Sequence, residues 1–200
     1  MVEPLSACVY GQHRSPVGFG DVVLILGAGP IGLFHLQLAL LAGAGTVIVS
    51  QRSEARRALA SEFGAHVVVD PTSEDISAVV AQHTNGRGAD VVIVCIGVPA
   101  LVGDALRLAR KGGRVNLFAG LAGKGLTEVE ANLIHYNELQ VTGQSGTRRS
   151  DFETALELIE SGRVDTQKMI THRFPLRETA KAIETVSNGE GIKVAVMPGI

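Results

Sequence analysis

The stretch from Val22 to Gln51 constrains the fold of this chain more than any other feature, because it contains no Asp, Glu, Lys or Arg. Its length could suit a membrane span, but Gly27, Gly29 and Gly32 interrupt it. The helix that remains, residues 30–42, is shorter than the roughly 20 residues that a span needs. The apolar runs 22–27 and 46–50 on either side do not alternate with polar residues, which is typical of strands buried on both faces of a parallel sheet. We therefore predict strand, helix and strand, and no membrane segment.

The alternation of strands and helices continues through residue 143. The pattern predicts helices at 53–63, at 72–83 after a capping-box-like start, and at 100–110, and strands at 66–69, 90–96, 114–118 and 139–143. Successive βαβ units with right-handed crossovers build a doubly wound sheet. We predict an α/β Rossmann fold, a parallel six-stranded sheet in the order 3-2-1-4-5-6 with helices on both faces.

The rhythm changes after Gly143. Ser150-Asp151-Phe152-Glu153 reads as a capping box opening a helix, and the chain then predicts a strand at 169–174, a helix from Leu176 and a strand at 192–196. The expected apolar faces of the two helices are Phe152, Ala155, Leu156 and Ile159 in the first, and Ala180, Ile183 and Val186 in the second. This tail does not extend the doubly wound pattern, so we interpret it, with residues 1–18, as flanking material.

Charge and cysteine usage exclude several classes of protein. A formal net charge of -2 lacks the basic footprint of a nucleic-acid-binding protein, and no run of like charges suggests a membrane surface. Cys8 and Cys95 lie in apolar surroundings without metal or redox spacing. Charged residues also interrupt the N-terminus before a signal peptide could form, so we expect a cytoplasmic protein.

The segment Gly27-Ala28-Gly29-Pro30-Ile31-Gly32 is a G-x-G-x-x-G motif that follows a predicted buried strand and opens a helix. In such a motif the first glycine permits the tight turn, the second lets the backbone approach a pyrophosphate, and the third lets helix and strand pack closely. The unpaired N–H groups at the helix start attract the anion. The motif predicts dinucleotide binding; the alternative is a glycine turn without a ligand.

The residue expected beside the adenosine ribose, about 20 positions after the motif, is Gln51. An acidic residue there would bind the 2′-hydroxyl of NAD, but Ser50-Gln51-Arg52 offers no carboxylate and supplies a guanidinium. Because Arg52 can form charge-assisted bonds to a 2′-phosphate, we predict that NADP is preferred over NAD. The alternative is a solvated Arg52 with Gln51 serving NAD weakly.

Two further segments end predicted strands at the carboxyl edge of the sheet, where ligands bind in such folds. They are Cys95-Ile96-Gly97 and Phe118-Ala119-Gly120. The two glycines would let the nicotinamide half of a dinucleotide pass close to the backbone. Cys95 is expected to be a small buried hydrophobe rather than a reactive thiol.

With these residues the sequence resembles the zinc-type medium-chain alcohol/polyol dehydrogenases, most closely their sorbitol (iditol) dehydrogenase branch. The matching segments are Val2-Glu3-Pro4-Leu5-Ser6, Gly27 to Gly32, Glu62-Phe63-Gly64-Ala65, Cys95-Ile96-Gly97, Gly112-Gly113-Arg114 and Thr171-His172-Arg173-Phe174-Pro175-Leu176. The resemblance implies an N-terminal flanking helix in residues 1–16, an NAD(P)-binding Rossmann domain in residues 17–147, and C-terminal flanks in residues 148–200 that would pack on an absent catalytic domain. It also places Arg56 near the adenosine ribose, and Gly143 and Gln144 over the nicotinamide side.

The activity implied by the resemblance is hydride transfer between NAD(P) and a secondary alcohol or ketone in the complete enzyme. In the family, the catalytic domain that carries the zinc ligands precedes the position of Met1, and Glu3 matches a glutamate beside the zinc. The six histidines of this chain are scattered without ligand spacing, so we predict no metal ligand among these residues. We expect zinc only in the complete enzyme, and no activity from this chain alone. Relatives also pair through the edge strand, which predicts a homodimer or homotetramer.

Two other classes of function remain open at this point. One is a stand-alone NAD(P)-binding regulatory or sensor module without catalysis, which would not require the segments around Glu3 and Thr171. The other is a methyltransferase, which also carries a glycine loop after its first strand. That fold usually keeps an acid at the end of its second strand, where this chain has Gln51.

Overall fold

Six parallel strands form one sheet in the order β3-β2-β1-β4-β5-β6, which confirms the predicted Rossmann fold. The computed structural model describes residues 1–123 and 125–199. The strands are β1 (Val22–Leu26), β2 (Thr46–Ser50), β3 (Val67–Val69), β4 (Ala89–Val94), β5 (Ala109–Leu117) and β6 (Gln140–Gly143), and a separate parallel pair is formed by β7 (Ile170–Pro175) and β8 (Lys193–Met197). The helices are α1 (Val2–Arg14), α2 (Pro30–Leu41), α3 (Glu54–Glu62), α4 (Ile76–Thr84), α5 (Ala100–Leu108), α6 (Ala131–Tyr136), α7 (Arg149–Glu160) and α8 (Thr179–Ser187), with a short 3₁₀ turn at Leu176–Glu178.

The central strands β1, β2 and β4 are in register, with Val23 paired to Val47 on one side and to Val91 on the other. Successive side chains of a strand point to opposite faces. Val23 and Ile25 therefore pack into a core with α1, α2 and α7, while Val22 and Leu24 pack into a second core with α4 and α5. Both faces of the sheet are covered, which explains why the strands are apolar without alternation.

Several predicted boundaries were wrong because side chains near helix starts have other partners. Helix α4 begins only at Ile76, where the Asp75 carboxylate accepts a bond from Ser77 N at 2.8 Å. Thr72 instead donates to Asp70 in the preceding turn. At α7 the N-cap is Arg148, whose backbone N–H donates to Asp151 Oδ2 at 3.1 Å, and this cap lies two residues earlier than the predicted Ser150–Glu153 box.

The region between α5 and β5 also differs from the prediction. Helix α5 ends at Leu108, and Ala109 already pairs with Ala89 in the sheet. The register then shifts, and regular pairing resumes at Arg114, so β5 begins before the predicted residue 114. Helix α6 was not predicted at all, since it spans only Ala131–Tyr136 and has no buried residue to produce an apolar pattern.

The flanking helix α1 packs on α2 and α7, and its Leu5, Cys8 and Val9 belong to the same core as the sheet. Ala155 and Leu158 of α7 also join that core, whereas Phe152 and Leu156, expected on its buried face, are 43% and 41% exposed. In α8 the expected stripe is likewise open, with Ile183 and Val186 about three-fifths exposed, at 62% and 58%. The division into a sheet domain and two flanks at residues 16 and 147 stays a prediction.

An ion-pair cluster joins α1 to the start of α7. The buried Asp151 carboxylate accepts bonds from Arg148 Nε and Nη2, both at 2.8 Å, and lies 2.8 Å from His13 Nδ1. The Arg148 guanidinium also covers the Tyr10 ring, 4.8 Å from its centroid. The bonds from Arg148 lower the pKa of Asp151 from 3.8 to about 2.

None of the helices in the described part of the chain is long and apolar enough to cross a membrane.

The substitution Asp151→Asn is expected to lower the free energy of unfolding at neutral pH by about 1.5–3 kcal/mol, the usual value of hydrogen bonds to a charged group. Since the pKa of Asp151 is lower in the folded state, its contribution is complete above pH ~4 and is lost as the pH falls through the folded value of about 2. The difference in the free energy of unfolding between wild type and variant should therefore become smaller in acid. Urea unfolding over a pH series measures this.

The matched control is Glu153→Gln, which removes an exposed carboxylate paired with Arg149 on the same helix. It should change stability by less than about 0.5 kcal/mol. A gap for Asp151→Asn that is equally large at neutral and at acid pH would contradict the assigned role.

Candidate functional site

Two glycines of the loop between β1 and α2 are required by the packing of the loop itself. Gly27 has φ +108°, and a Cβ there would lie 2.4 Å from Ile96 Cγ1. A Cβ on Gly32 would lie 1.8 Å from the Gly27 carbonyl oxygen. Gly27 is therefore required by its positive φ and by Ile96, whereas Gly32 serves the close approach of helix α2 to the end of strand β1.

Gly29 is different, because nothing lies within 4 Å of the place where its Cβ would be. It is the N-cap of α2, Pro30 follows at the first helical position, and no acidic residue occupies the first turn. A helix start leaves its first N–H groups without intrahelical partners and carries a partial positive charge. The loop therefore offers open space beside backbone donors, which an anion such as a pyrophosphate can fill.

A cleft of about 740 Å³ opens at the carboxyl ends of the central strands, next to this loop. Nine of the residues predicted from the sequence line it: Gly27, Gly29, Ser50, Gln51, Arg52, Arg56, Cys95, Ile96 and Gly97. Sequence reasoning missed other lining residues, among them Pro71, Ile76, Val98, Leu101 and Asp104. They follow β3 and β4 along the chain, and the predicted strand order was the signal that could have found them.

The turn after β2 presents two arginines to the cleft. The Gln51 side chain is turned back, since its Oε1 accepts a bond from Ser53 N at 3.1 Å. Arg52 is exposed and Arg56 is half-buried. Within residues 1–123 and 125–199 neither guanidinium has a hydrogen-bond or ion-pair partner, so both are available to a ligand.

Of the residues predicted for the nicotinamide side, Cys95, Ile96 and Gly97 line this cleft. The others do not line it and lie at the ends of β5 and β6: Phe118, Ala119, Gly120, Gly143 and Gln144. A Cβ on Gly97 would lie 2.3 Å from the Gly120 carbonyl oxygen, and Ala119 N donates to Val94 O at 2.9 Å, so β4 and β5 end in close contact. Phe118 and Gln144 lie against Gly11 of α1, where a Cβ would be 3.0 and 3.1 Å from their side-chain atoms. Gly143 is exposed beside them. Pro30, Ile31 and Gly32 form the first turn of α2 next to Gly29 and are not among the residues that line the cleft.

The thiols and the buried histidine offer no reactive group. Burial raises the pKa of both Cys8 and Cys95, so both stay protonated. Cys8 is buried, whereas Cys95 is only partly buried and lines the cleft. Burial lowers the pKa of His35 to about 3, and its ring packs edge-on against Phe118 with centroids 4.7 Å apart. Glu3 is exposed on the first turn of α1.

The metal-binding side chains of the described residues do not cluster. Among the residues that the structure describes, no group of three or more His, Cys, Asp or Glu is placed to hold a metal ion. A catalytic zinc needs three protein ligands. These residues therefore do not fit a catalytic zinc by themselves.

The model of one protein family matches residues 30–161, and its description is zinc-binding dehydrogenase. The chain belongs to this family. The chain is also 34% identical to D-arabitol-phosphate dehydrogenase of Enterococcus avium, over 98% of this chain and 56% of that protein. It is likewise 34% identical to sorbitol dehydrogenase of Halalkalibacterium halodurans, over 99% of this chain and 58% of that protein.

Solved structures of dehydrogenases superpose closely on this one. A zinc-binding dehydrogenase of Sinorhizobium meliloti, solved bound to NADP, matches with a TM-score of 0.90 and 38% identity, over 98% of this chain and 58% of that chain. The 2R,3R-butanediol dehydrogenase of Bacillus subtilis matches with a TM-score of 0.89 and 28% identity, over 98% of this chain and 56% of that chain. The chain thus spans a little more than half the length of these relatives. Because it belongs to the zinc-binding dehydrogenase family, the methyltransferase alternative was wrong.

Two glycine substitutions should separate packing from ligand binding in the loop. Gly32→Ala must displace the Gly27 carbonyl and is expected to lower the free energy of unfolding by about 1–3 kcal/mol. The Cβ that Gly29→Ala adds meets open space, so this change at the N-cap should lower the free energy of unfolding by less than about 1 kcal/mol. If a pyrophosphate approaches Gly29, the alanine should weaken NADPH binding at least about tenfold. Thermal unfolding and calorimetric titration measure the two effects, and unchanged NADPH binding in Gly29→Ala would count against the site.

Proposed function

We propose that this chain is the dinucleotide-binding part of a zinc-dependent alcohol/polyol dehydrogenase, which in its complete form transfers hydride between NAD(P) and a secondary alcohol or ketone. The observation that carries the proposal is the cleft in which an open helix start, two free arginines and the ends of the central strands meet. The names of the relatives support the substrate class, and the NADP in the Sinorhizobium meliloti structure supports the cofactor.

Each half of the dinucleotide has its own proposed contacts. Gly29 with the first turn of α2, including Pro30, Ile31 and Gly32, holds the pyrophosphate, while Gly27 shapes the turn. Ser50, Gln51, Arg52 and Arg56 surround the adenosine ribose. The proposed nicotinamide side consists of Cys95, Ile96, Gly97, Phe118, Ala119, Gly120, Gly143 and Gln144.

The chemistry of the step belongs to the bound nicotinamide, which accepts or donates the hydride. The residues of this chain bind and orient it, and the absence of a side chain at Gly97 lets the ends of β4 and β5 lie close together there. The Cys95 thiol stays protonated and does not compete as a nucleophile. Glu3 is proposed, from the family resemblance alone, to lie near the catalytic zinc of the complete enzyme. Because the described residues do not fit the zinc, we assign them no step that passes through it, and we expect no turnover by this chain alone.

Preference for NADP over NAD follows from the charges around the ribose. A 2′-phosphate carries close to two negative charges at neutral pH, and an acid at the end of β2 would repel it. The chain has Gln51 there, with its amide oxygen turned back to Ser53 N. Arg52 and Arg56 line the same side of the cleft with free guanidinium groups. This arrangement supports a phosphate ligand better than a hydroxyl.

Wild-type protein should bind NADPH more tightly than NADH, and Arg52→Ala should remove most of the difference. Loss of a charge-assisted bond corresponds to about a 10- to 100-fold weaker NADPH affinity, with little change for NADH. Titration of both dinucleotides into wild type, Arg52→Ala and the exposed control Arg177→Ala measures this. Equal affinities of the wild type for the two dinucleotides would refute the preference.

We further propose that two copies of the chain pair through the edge of the sheet. Strand β6 is an edge strand, bonded to β5 on one side. An unprotected edge strand is a template for pairing with another chain.

We also propose a reducing, cytoplasmic location for the protein, since Cys8 and Cys95 are both free thiols.

Because of the proposed pairing, light scattering should give at least twice the 21.0 kDa mass of one chain. Gln140→Lys places equal charges on both paired edges and should shift the protein towards monomer, while the same change at the exposed Gln82 of α4 should not. A monomeric wild type, or an unchanged mass in Gln140→Lys, would argue against pairing at this edge.

A further inference from the structure

The side chain of Arg57 folds back from α3 onto the turn that carries Arg52. Its Nη1 donates to the carbonyl oxygens of Gln51 at 2.8 Å and Arg52 at 2.6 Å. The same nitrogen lies 3.0 Å from Asp70 Oδ2. Both charged side chains are largely covered, 18% and 21% exposed. One guanidinium nitrogen thus holds two carbonyl groups of the turn and one carboxylate.

Asp70 follows β3 directly, and β3 lies beside β2 in the sheet. Its Oδ1 accepts bonds from Thr72 Oγ1 at 2.6 Å and from Thr72 N at 3.0 Å. These bonds, followed by the attraction of Arg57, lower the pKa of Asp70, so the carboxylate stays ionised. The next residue, Pro71, lines the cleft. A fixed negative charge therefore lies at the border of the adenosine half of the cleft.

This charge matters because the end of β2 itself has no acid. A 2′-phosphate near Arg52 would meet attraction from two arginines and repulsion from Asp70, unless that carboxylate is neutralised. Arg57 supplies the neutralising charge. It also holds the carbonyl oxygens of Gln51 and Arg52, whose partial negative charges would repel a phosphate if they turned towards it.

We propose that Arg57, paired with Asp70, is a positioning residue for dinucleotide selectivity: it orients the Gln51–Arg52 turn and cancels the Asp70 charge, so that Arg52 and Arg56 bind a 2′-phosphate. This rests on the proposed preference for NADP. Arg57 itself is not assigned a contact with the phosphate, because its Nη1 is already shared among three oxygens and the residue does not line the cleft. A purely structural brace, by contrast, would affect both dinucleotides equally.

The test is the ratio of the NADH and NADPH dissociation constants, measured by titration for wild type, Arg57→Ala, Asp70→Asn, the double variant and Arg57→Lys. Arg57→Ala exposes the Asp70 charge and is expected to weaken NADPH binding about tenfold while NADH binding stays nearly constant. Removing the carboxylate as well, in Arg57→Ala with Asp70→Asn, should restore most of the selectivity. Arg57→Lys keeps the charge and should stay close to wild type. The loss in Arg57→Ala should shrink at high salt.

The outcomes of this test distinguish the positioning role of Arg57 from the preference for NADP on which it rests. A wild type without preference for NADPH overturns both. A wild type that prefers NADPH, with equal losses for both dinucleotides in Arg57→Ala, overturns the positioning role alone. Loss of selectivity that the second substitution does not restore means that the Asp70 charge is not what Arg57 offsets, and also overturns the proposed role of the pair. If Arg57→Ala does not fold, Asp70→Asn and Arg57→Lys still decide: both must keep the selectivity of the wild type.

Discussion

The contact between Gly32 and the carbonyl oxygen of Gly27 is the constraint on which the rest of this structure depends. With no side chain at Gly32, the first turn of α2 lies directly on the end of β1. Leu33, Phe34 and Leu36 are then fully buried against one face of the sheet. Since β1 lies at the centre of the strand order, and the chain reverses direction across the sheet between β1 and β4, the same contact opens the cleft beside Gly29.

The charge around the cleft depends on the positions that lack an acidic residue as much as on the arginines that are present. Neither the first turn of α2 nor the end of β2 carries an acid, while Arg52 and Arg56 face the cleft. The nearby carboxylate of Asp70 is held by Thr72 and Arg57 rather than left free. In a partly enclosed cleft such differences act more strongly than on an open surface, because water screens them less. The proposed selectivity therefore depends on the pairing of Asp70 as well as on the free arginines.

Patterns along the sequence predicted the helices and strands better than they predicted which residues of each element are covered by the rest of the protein. The apolar runs of β1 and β2 and the glycines between them determine the strand, loop and helix, because local packing permits nothing larger at Gly27 and Gly32. Periodicity also predicted the helices α7 and α8, but not which side is covered: Ile183 and Val186 are exposed, while Ala182 and Thr185 of α8 are buried. An apolar stripe indicates that one face of a helix can be buried, but it does not identify the surface that covers this face.

By itself the sequence determined the doubly wound fold, the glycine loop between β1 and α2 and nine residues of the cleft, since these follow from hydrophobic pattern and from motifs that are continuous along the chain. Only the tertiary structure decided the contacts between distant segments. The Asp151 cluster joins residues of α1 and α7, and the Arg57–Asp70 pair joins α3 to the end of β3. Pro71, Leu101 and Asp104 likewise line the cleft because the fold brings together segments that are distant along the chain. Such contacts depend on how the βαβ units stack, and a charged residue in a sequence does not show which partner the fold will bring to it.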